Sequence, residues 1–441
     1  GSILAALAGD DEPITLPSSY AVASENARYQ FSDARPYARD DADVFFICSG
    51  AEYASMFADG YALPIQTGLL SQFEKPRHAQ WSGNYLALGY ATGTLSLSDT
   101  GDPLTYLSAA STASEIGASD RVTGLARLKG DSLGVMTERT IFAIQGSDAA
   151  TFQRVDISPS SGAIEYTVTD GPTGSPMFCD FRGLATIETT QNYGDFDRPG
   201  VGESASPWLI ERLQSDRRNQ TVDKTVVAAY PMRNKRQYRT LFADGWQSTL
   251  TVQSDGANVI TTQRLYGDWR DRDVSAIRVL GLATGVTSTG QDVAFMSFDL
   301  DHESSRYRYV FQIDAGRSFD GEEIIAQWMG QPLILGAPFS TKSISQLGLY
   351  GRAFGYAGLK VFTATDFTDP VSDEAIGAST TGVSTSFGTA ASSTEGNFKT
   401  MATIRGQGED FTFLFESITA TELPHTIQAM VVRFDSEDAK R

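Results

Sequence analysis

The sequence predicts an all-β protein: a β-propeller with an appended C-terminal β-sandwich-like domain. Three observations predict it. Between Leu125 and Thr190 an apolar strand twice runs into a tight polar corner and returns, at Thr137-Glu-Arg-Thr140 and at Asp180-Phe-Arg-Gly183. Hairpins repeated in this way around a ring build a propeller. Short runs rich in β-branched and aromatic residues, flanked by Gly, Asp, Asn or Pro, recur from about Tyr29 onward. Sustained helical periodicity is almost absent.

Taken in order, residues 1–28 carry turn formers and the acidic pair Asp10-Asp11 and read as an N-terminal arm. Strands are expected at 44–49, 85–90, 94–98, 133–137, 141–145, 152–157, 164–169, 177–180, 184–189, 225–230, 236–242 and 248–252. The corners between them supply residues that tolerate positive φ or tight bends: Ser82-Gly-Asn84, Lys129-Gly-Asp131, Asn234-Lys235 and Asp244-Gly245. The best helical candidate is 203–218, with Trp208, Leu209 and Leu213 on one side, giving one or two turns. A second texture begins near Ala276. Longer strands are expected at 293–298 and 306–313, followed by 344–350, 359–364, 398–405, 411–415 and 426–434. Residues 373–396, rich in Ser, Thr, Gly and Ala, read as a long exposed loop of a β-sandwich. The expected layout is therefore an arm (1–28), a propeller (29–320) and a sandwich-like domain (321–441) with its 373–396 loop.

A chain of 441 residues has room for one large repeat domain and an appendage. With 41% hydrophobic and 20% charged residues it can bury a core that needs no disulfide or metal staple. The two cysteines, Cys48 and Cys179, lie in apolar runs and read as buried free thiols of a protein folded in a reducing cytoplasm. No apolar run reaches the ~18 residues of a spanning helix. The patch Ile3-Leu-Ala-Ala-Leu-Ala8 lacks the basic lead-in of a signal peptide. A net charge of −19 argues against a nucleic-acid-binding footprint, which needs a basic surface. Such a charge serves either simple solubility or the repulsion of a polyanion.

No catalytic, cofactor or metal site is expected. His78, His302 and His425 lie far apart, no Cys/His spacing suits zinc, and His425 after Pro424 reads as a surface or turn histidine. Nucleophile-elbow, P-loop and dinucleotide motifs are missing, and Gly351-Arg-Ala-Phe-Gly355 reads as turn chemistry. The acidic pairs Asp10-Asp11, Asp40-Asp41 and Glu322-Glu323 suit solvated loops better than a facing carboxylate pair. Asp299-Leu-Asp301-His302-Glu303 offers oxygen ligands but lacks the spacing and glycine of a calcium loop, so a hairpin turn is favoured. Trp208, Trp246, Trp269 and Trp328 serve either as interface anchors or as core.

Four segments carry a family resemblance: Gly130-Asp-Ser-Leu-Gly-Val-Met-Thr-Glu-Arg-Thr-Ile-Phe-Ala-Ile-Gln-Gly146; Gly162 with Gly174-Ser-Pro-Met-Phe-Cys-Asp-Phe-Arg-Gly-Leu184; Val226-Val-Ala-Ala-Tyr230 leading to Tyr238-Arg-Thr-Leu-Phe-Ala-Asp-Gly245; and Leu423-Pro-His-Thr-Ile-Gln-Ala-Met-Val-Val-Arg433. They span roughly residues 120–250 and the C-terminal end. The chain resembles the tail hub or nozzle proteins of short-tailed bacteriophages, the group that includes the packaged-DNA stabilisation proteins. That resemblance implies a structural virion protein assembled in the host cytoplasm, without enzymatic residues, cofactor or membrane insertion. It implies a propeller in a homo-hexameric ring below the portal and adaptor. The ring extends the DNA channel, retains packaged DNA without specific binding until genome ejection, and mounts tail fibres, tailspikes or a needle. Six copies would multiply the charge of −19, and acids lining the bore would repel phosphate. Two other readings stand beside it: a carbohydrate-binding or glycan-active propeller, with aromatics and carboxylates at one mouth, and a secreted bacterial surface propeller, with an export signal.

Overall fold

The computed structural model describes residues 4–5, 14–15, 28–34, 36, 44–58, 61–68, 74–106, 113–146, 148, 150–172, 174–187, 207–217, 225–253, 258–264, 274–287, 289–302, 305–315, 327–329, 332–336, 340–353, 357–365, 383–389, 396–417 and 425–436. The chain divides into two compact units, residues 1–265 with 273–314, and residues 315–441 with 266–272.

The first unit is a β-propeller. Among the described residues six antiparallel sheets follow one another in chain order, each a simple meander. Blade 1 runs through Gln30–Ala34, Val44–Cys48, Ser55–Ala58 and Tyr61–Pro64; blade 2 through His78–Ser82, Tyr85–Gly89, Thr94–Leu97 and Ser114–Gly117. Blade 3 comprises Val122–Arg127, Leu133–Thr137, Ile141–Gln145 and Gln153–Ser158, and blade 4 the three strands Thr169–Asp170, Pro176–Asp180 and Gly183–Thr186. Blade 5 holds Val226–Met232, Gln237–Phe242, Trp246–Val252 and Asn258–Arg264; blade 6 holds Val274–Val286, Asp292–His302 and Ser305–Ile313. The first strands of neighbouring blades pack on one another (1 on 2, 2 on 3, 4 on 5, 5 on 6), so the first strand is the innermost.

The core lies between blades, and strand periodicity explains how. Successive side chains of a strand point to opposite faces. In Tyr85–Gly89, Leu86 and Leu88 pack with Phe46 and Met56 of blade 1, while Tyr85 and Ala87 pack with Val122 and Phe142 of blade 3. Blade 3 repeats the device: Val135 and Phe142 face blade 2, and Met136 and Ile141 face Phe178 and Ala185 of blade 4. Middle strands are therefore buried on both faces and read as near-continuous apolar runs.

The expected corners are hairpin turns. Thr137 N–H donates to Thr140 O at 2.9 Å, and Asp180 pairs with Gly183 across the second corner. Gly83 (φ 59°) and Gly245 (φ 81°) supply the left-handed residues that the Ser82–Asn84 and Asp244–Gly245 turns require.

The second unit is a β-sandwich. One sheet orders Gln327–Met329, Phe411–Ser417, Ala357–Thr365 and Val383–Thr389; the other orders Gly396–Gly408, Lys342–Ala353 and His425–Ser436. Ile344, Leu347, Leu349 and Ile404 from one sheet meet Val361, Phe411, Phe413 and Phe415 from the other.

Several expectations need correction. The 164–169 stretch is a turn at Glu165–Tyr166 followed by the two-residue strand Thr169–Asp170, because Glu165 is drawn into an ion cluster described below. Residues 373–396 are not one exposed loop: Val383–Thr389 pairs with Ala357–Thr365, and Gly396 opens a strand of 13 residues. The alternating β-branched Val-Ser-Thr-Ser-Phe-Gly-Thr run has the β preference to add to a waiting edge. The helix Pro207–Arg217 is 11 residues long, about three turns rather than one or two, because Leu209 and Leu213 bury completely against blades 4 and 5. Within the 1–28 arm, Leu4–Ala5 pairs with Ile14–Thr15. Gly351–Ala353 closes a sandwich strand rather than forming a turn; Phe354 and Gly355 lie outside the described residues.

Candidate functional site

The most developed polar cluster of the described residues forms where the innermost strands begin. Arg77 and His78 enter blade 2, Arg121 precedes Val122 of blade 3, Glu165 and Tyr166 turn into blade 4, Arg28 leads into blade 1, and Val226 opens blade 5. Each meander starts its first strand at the same end, so these residues converge where five blades meet.

Glu165 is the centre. Its carboxylate accepts from Arg77 Nη1 at 3.0 and 3.1 Å and from Arg121 Nη2, with His78 Nε2 at 3.5 Å. His78, 1% exposed, donates Nδ1–H to Gln30 Oε1 of blade 1 at 2.8 Å. Arg28 Nη1 donates to Val226 O at 3.0 Å and lies 5.4 Å from the Tyr166 ring centroid. Tyr166 also meets the His78 ring at 5.6 Å, and its carbonyl accepts from Ala229 N–H at 2.9 Å. These contacts hold Tyr166 in the left-handed region (φ 65°), where a bulky residue is an outlier.

Burial alone would raise the Glu165 carboxyl, but the His78 ring and the Arg121 and Arg77 guanidinia override it and hold it down at about 2. Burial, reinforced by Glu165, pushes the Tyr166 hydroxyl up to about 12. The arrangement is an ionic knot that ties blades 1 to 5 together.

Two further clusters flank blade 5. Asp314, the last residue of the first unit, accepts from Lys235 Nζ at 2.7 Å and from Arg239 Nη2 at 2.6 Å. Burial opposes this charge, yet the two cations hold the Asp314 carboxyl below its ordinary value. Arg212 of the helix bonds Asp244 at 2.7 Å and lies over Trp208, Phe242 and Trp246, with centroids 4.5 to 5.5 Å away.

Sequence candidates fare unevenly. Trp208 and Trp246 come together, edge to face at 5.5 Å, half-buried around Arg212. Trp269 and the side chain of Trp328 lie outside the described residues, as do Asp10-Asp11, Asp40-Asp41 and Glu322-Glu323. Asp299 to His302 ends a blade 6 strand, with Arg308 Nε donating to Asp299 at 3.2 Å. His425 begins a sandwich strand rather than sitting in a turn. Among the described residues no group of His, Cys, Asp and Glu suits a metal ion, and no helix is long and apolar enough to cross a membrane.

Glu165, Arg77 and Arg121 were missed in the sequence. Their one shared signal is position: each lies one to four residues before an innermost strand. Cys48 and Cys179 are buried and free. Burial raises both thiols, that of Cys179 to about 11. Neither is expected to react with a thiol reagent at neutral pH in the native protein, whereas both react in denaturant; a time course of absorbance with and without denaturant checks this.

No family model matches the chain, and no curated protein matches it. Solved structures do. The β-propeller domain of Myceliophteria thermophila Cps50 (Swd1) aligns at 10% identity and TM-score 0.37 over 67% of this chain and 92% of that one. The extracellular domain of the putative one component system BT4673 from B. thetaiotaomicron aligns at 12% identity and TM-score 0.35, over 64% of this chain. The extracellular domain of the putative hybrid two component system BT4673 aligns at 11% and 0.38, over 66%. The match spans about a third of each of these two bacterial domains, 34%.

Proposed function

We propose that the chain is a structural protein of a short phage tail, a hub or nozzle subunit that forms a hexameric ring below portal and adaptor. The ring extends the DNA channel, retains the packaged genome and mounts fibres, spikes or a needle. The observation that supports this most is the placement of the four family-like segments. The first is the central hairpin of blade 3, the second runs into blade 4, the third is the inner hairpin of blade 5, and the fourth covers a sandwich strand from His425. The first three fall on the consecutive blades 3, 4 and 5, and the fourth on the second unit. The charge of −19 gives a ring of six a strongly anionic character, suited to passing DNA without holding it.

Light scattering on the purified full chain, with negative-stain images of the same sample, tests the reading. The expected result is six times the chain mass and a ring with a central hole, alone or after the adaptor–portal complex is added. A monomer that stays a monomer with that complex overturns it and turns attention to the sugar-binding and bacterial-surface readings.

A further inference from the structure

The cluster around Glu165 brings together three guanidinia, those of Arg28, Arg77 and Arg121, but only two carboxylates, those of Glu165 and Glu138. Both carboxylates are engaged: Glu165 serves Arg77 and Arg121, and Glu138 meets Arg121. Arg28 has no carboxylate partner among the described residues. Its contacts are the Val226 carbonyl at 3.0 Å and the Tyr166 ring. A carbonyl and an aromatic face orient a guanidinium without cancelling its charge. This local excess of positive charge runs against a chain whose net charge is −19. The excess also meets water, since the Arg77 and Arg121 side chains are 32% and 33% exposed.

The groups are held in place before any ligand arrives. The Arg77 stem lies across Gly50, where an added Cβ would come within 2.6 Å of its Cγ, and Gly50 N–H donates to Pro76 O at 2.8 Å. Tyr166 is kept in the left-handed region (φ 65°), and backbone strain of this kind gathers at ligand clamps. The charges of Arg77 and Arg28 both act on its hydroxyl, which burial keeps protonated at neutral pH and so a donor. That hydroxyl has no hydrogen-bond partner among the described residues. Nor has Arg121 Nε, a buried donor, and buried donors without acceptors mark the place of an ion or a water. We propose that Arg28, Arg77 and Tyr166 form a binding site for a small oxyanion, a phosphate group, at the end of the propeller where the innermost strands begin. Arg28 supplies the uncompensated charge, Arg77 the N–H groups not turned to Glu165, and Tyr166 the hydroxyl. Guanidinium forks match phosphate oxygens in pairs. Donors arriving from blades 1, 2 and 4 suit a tetrahedral set of oxygens better than the flat pair of a carboxylate.

The test uses the full chain and does not depend on the tail reading. Phosphate stabilises many proteins merely by exclusion from their surface, so binding itself is measured. Inorganic phosphate titrated into the parent protein in a calorimeter, at constant ionic strength, is expected to give saturable heat. Arg28→Gln should weaken that binding by roughly tenfold or more, the loss of a hydrogen bond to a charged group. Tyr166→Phe keeps the ring beside Arg28 and removes only the hydroxyl, and should weaken it by roughly five- to tenfold. If Arg28→Gln disturbs the fold, seen as a lowered urea midpoint, the Tyr166→Phe result decides. Thymidine monophosphate in a parallel titration separates the sources: tighter binding than phosphate assigns the site to a phosphate carried on an organic group, weaker binding to the free anion. No saturable heat with either probe overturns the proposal. Equal binding by the parent and both variants would place the anion elsewhere on the protein and overturn it too.

Discussion

Replacing Glu165 with Gln is expected to lower the unfolding free energy by about 3 kcal/mol, as removal of one partner from a buried ion cluster does. The substitution removes the carboxylate that Arg77, Arg121 and His78 share and leaves Arg121 facing the half-exposed Glu138. The carboxyl titrates at about 2 against an ordinary 4.5, a depression equivalent to roughly 3 kcal/mol at about 1.4 kcal/mol per unit. The sign follows from linkage. A depressed carboxyl stabilises the fold fully above its unfolded value and loses that contribution as pH falls through the folded one. The gap between parent and E165Q should therefore be constant above pH 4.5 and close between pH 4.5 and 2. Urea unfolding midpoints across that range measure it; a gap unchanged at low pH would mean that the charge is not what matters. Glu138→Gln is the control. Glu138 also faces Arg121, at 3.4 Å, but half of its side chain is exposed, so its loss should cost about 0–1 kcal/mol.

Gly162→Ala should be at least as damaging, at about 3 kcal/mol or more, through overpacking rather than charge. A Cβ at Gly162 would lie 2.2 Å from the backbone carbon of Glu138 and 2.3 Å from Thr137 O. Neither atom can swing away, because both belong to the corner that closes the blade 3 hairpin. Ala163 N–H donates to Thr137 O at 3.0 Å, so the segment entering blade 4 docks on that corner backbone to backbone. An added methyl separates the two blades at the seam beside Arg121 and Glu165. Gly117→Ala, on an outer strand with nothing within 4 Å, should stay within about 0.5 kcal/mol. Equal unfolding midpoints for the two variants would refute the close-approach argument.

Particular elements show where sequence patterns suffice. The corners at Thr137–Thr140 and Asp180–Gly183 were legible because the hydroxyl of Thr137, the carboxylate of Asp180 and a glycine with φ of 134° are local solutions to a local bend. Strands of blades 2, 3 and 5 were legible from β-branched and aromatic runs. Several innermost and outermost strands were not. His78–Ser82, with His, Gln and Trp, and Ser114–Gly117, alternately exposed, have little intrinsic β pattern and are strands because their neighbours offer paired edges. The 164–169 run failed in the opposite sense. Its apolar and aromatic residues suit a strand, but Glu165 is pulled toward two guanidinia contributed by other blades.

By itself the sequence determined the class of the fold. Strand periodicity, turn chemistry and the lack of helical spacing are properties of neighbouring residues, so they survive without a partner. The change of texture near Ala276 and the burial of both thiols were visible for the same reason. Tertiary structure alone decided the ionic knot and the edge-to-face meeting of Trp208 and Trp246 around Arg212. Arg28, Arg77, Arg121, Glu165 and Val226 are separated by up to 198 residues. Nothing in their local sequence says that they meet; the meander brings the start of every innermost strand to the same end, and only there do their charges come within bonding distance.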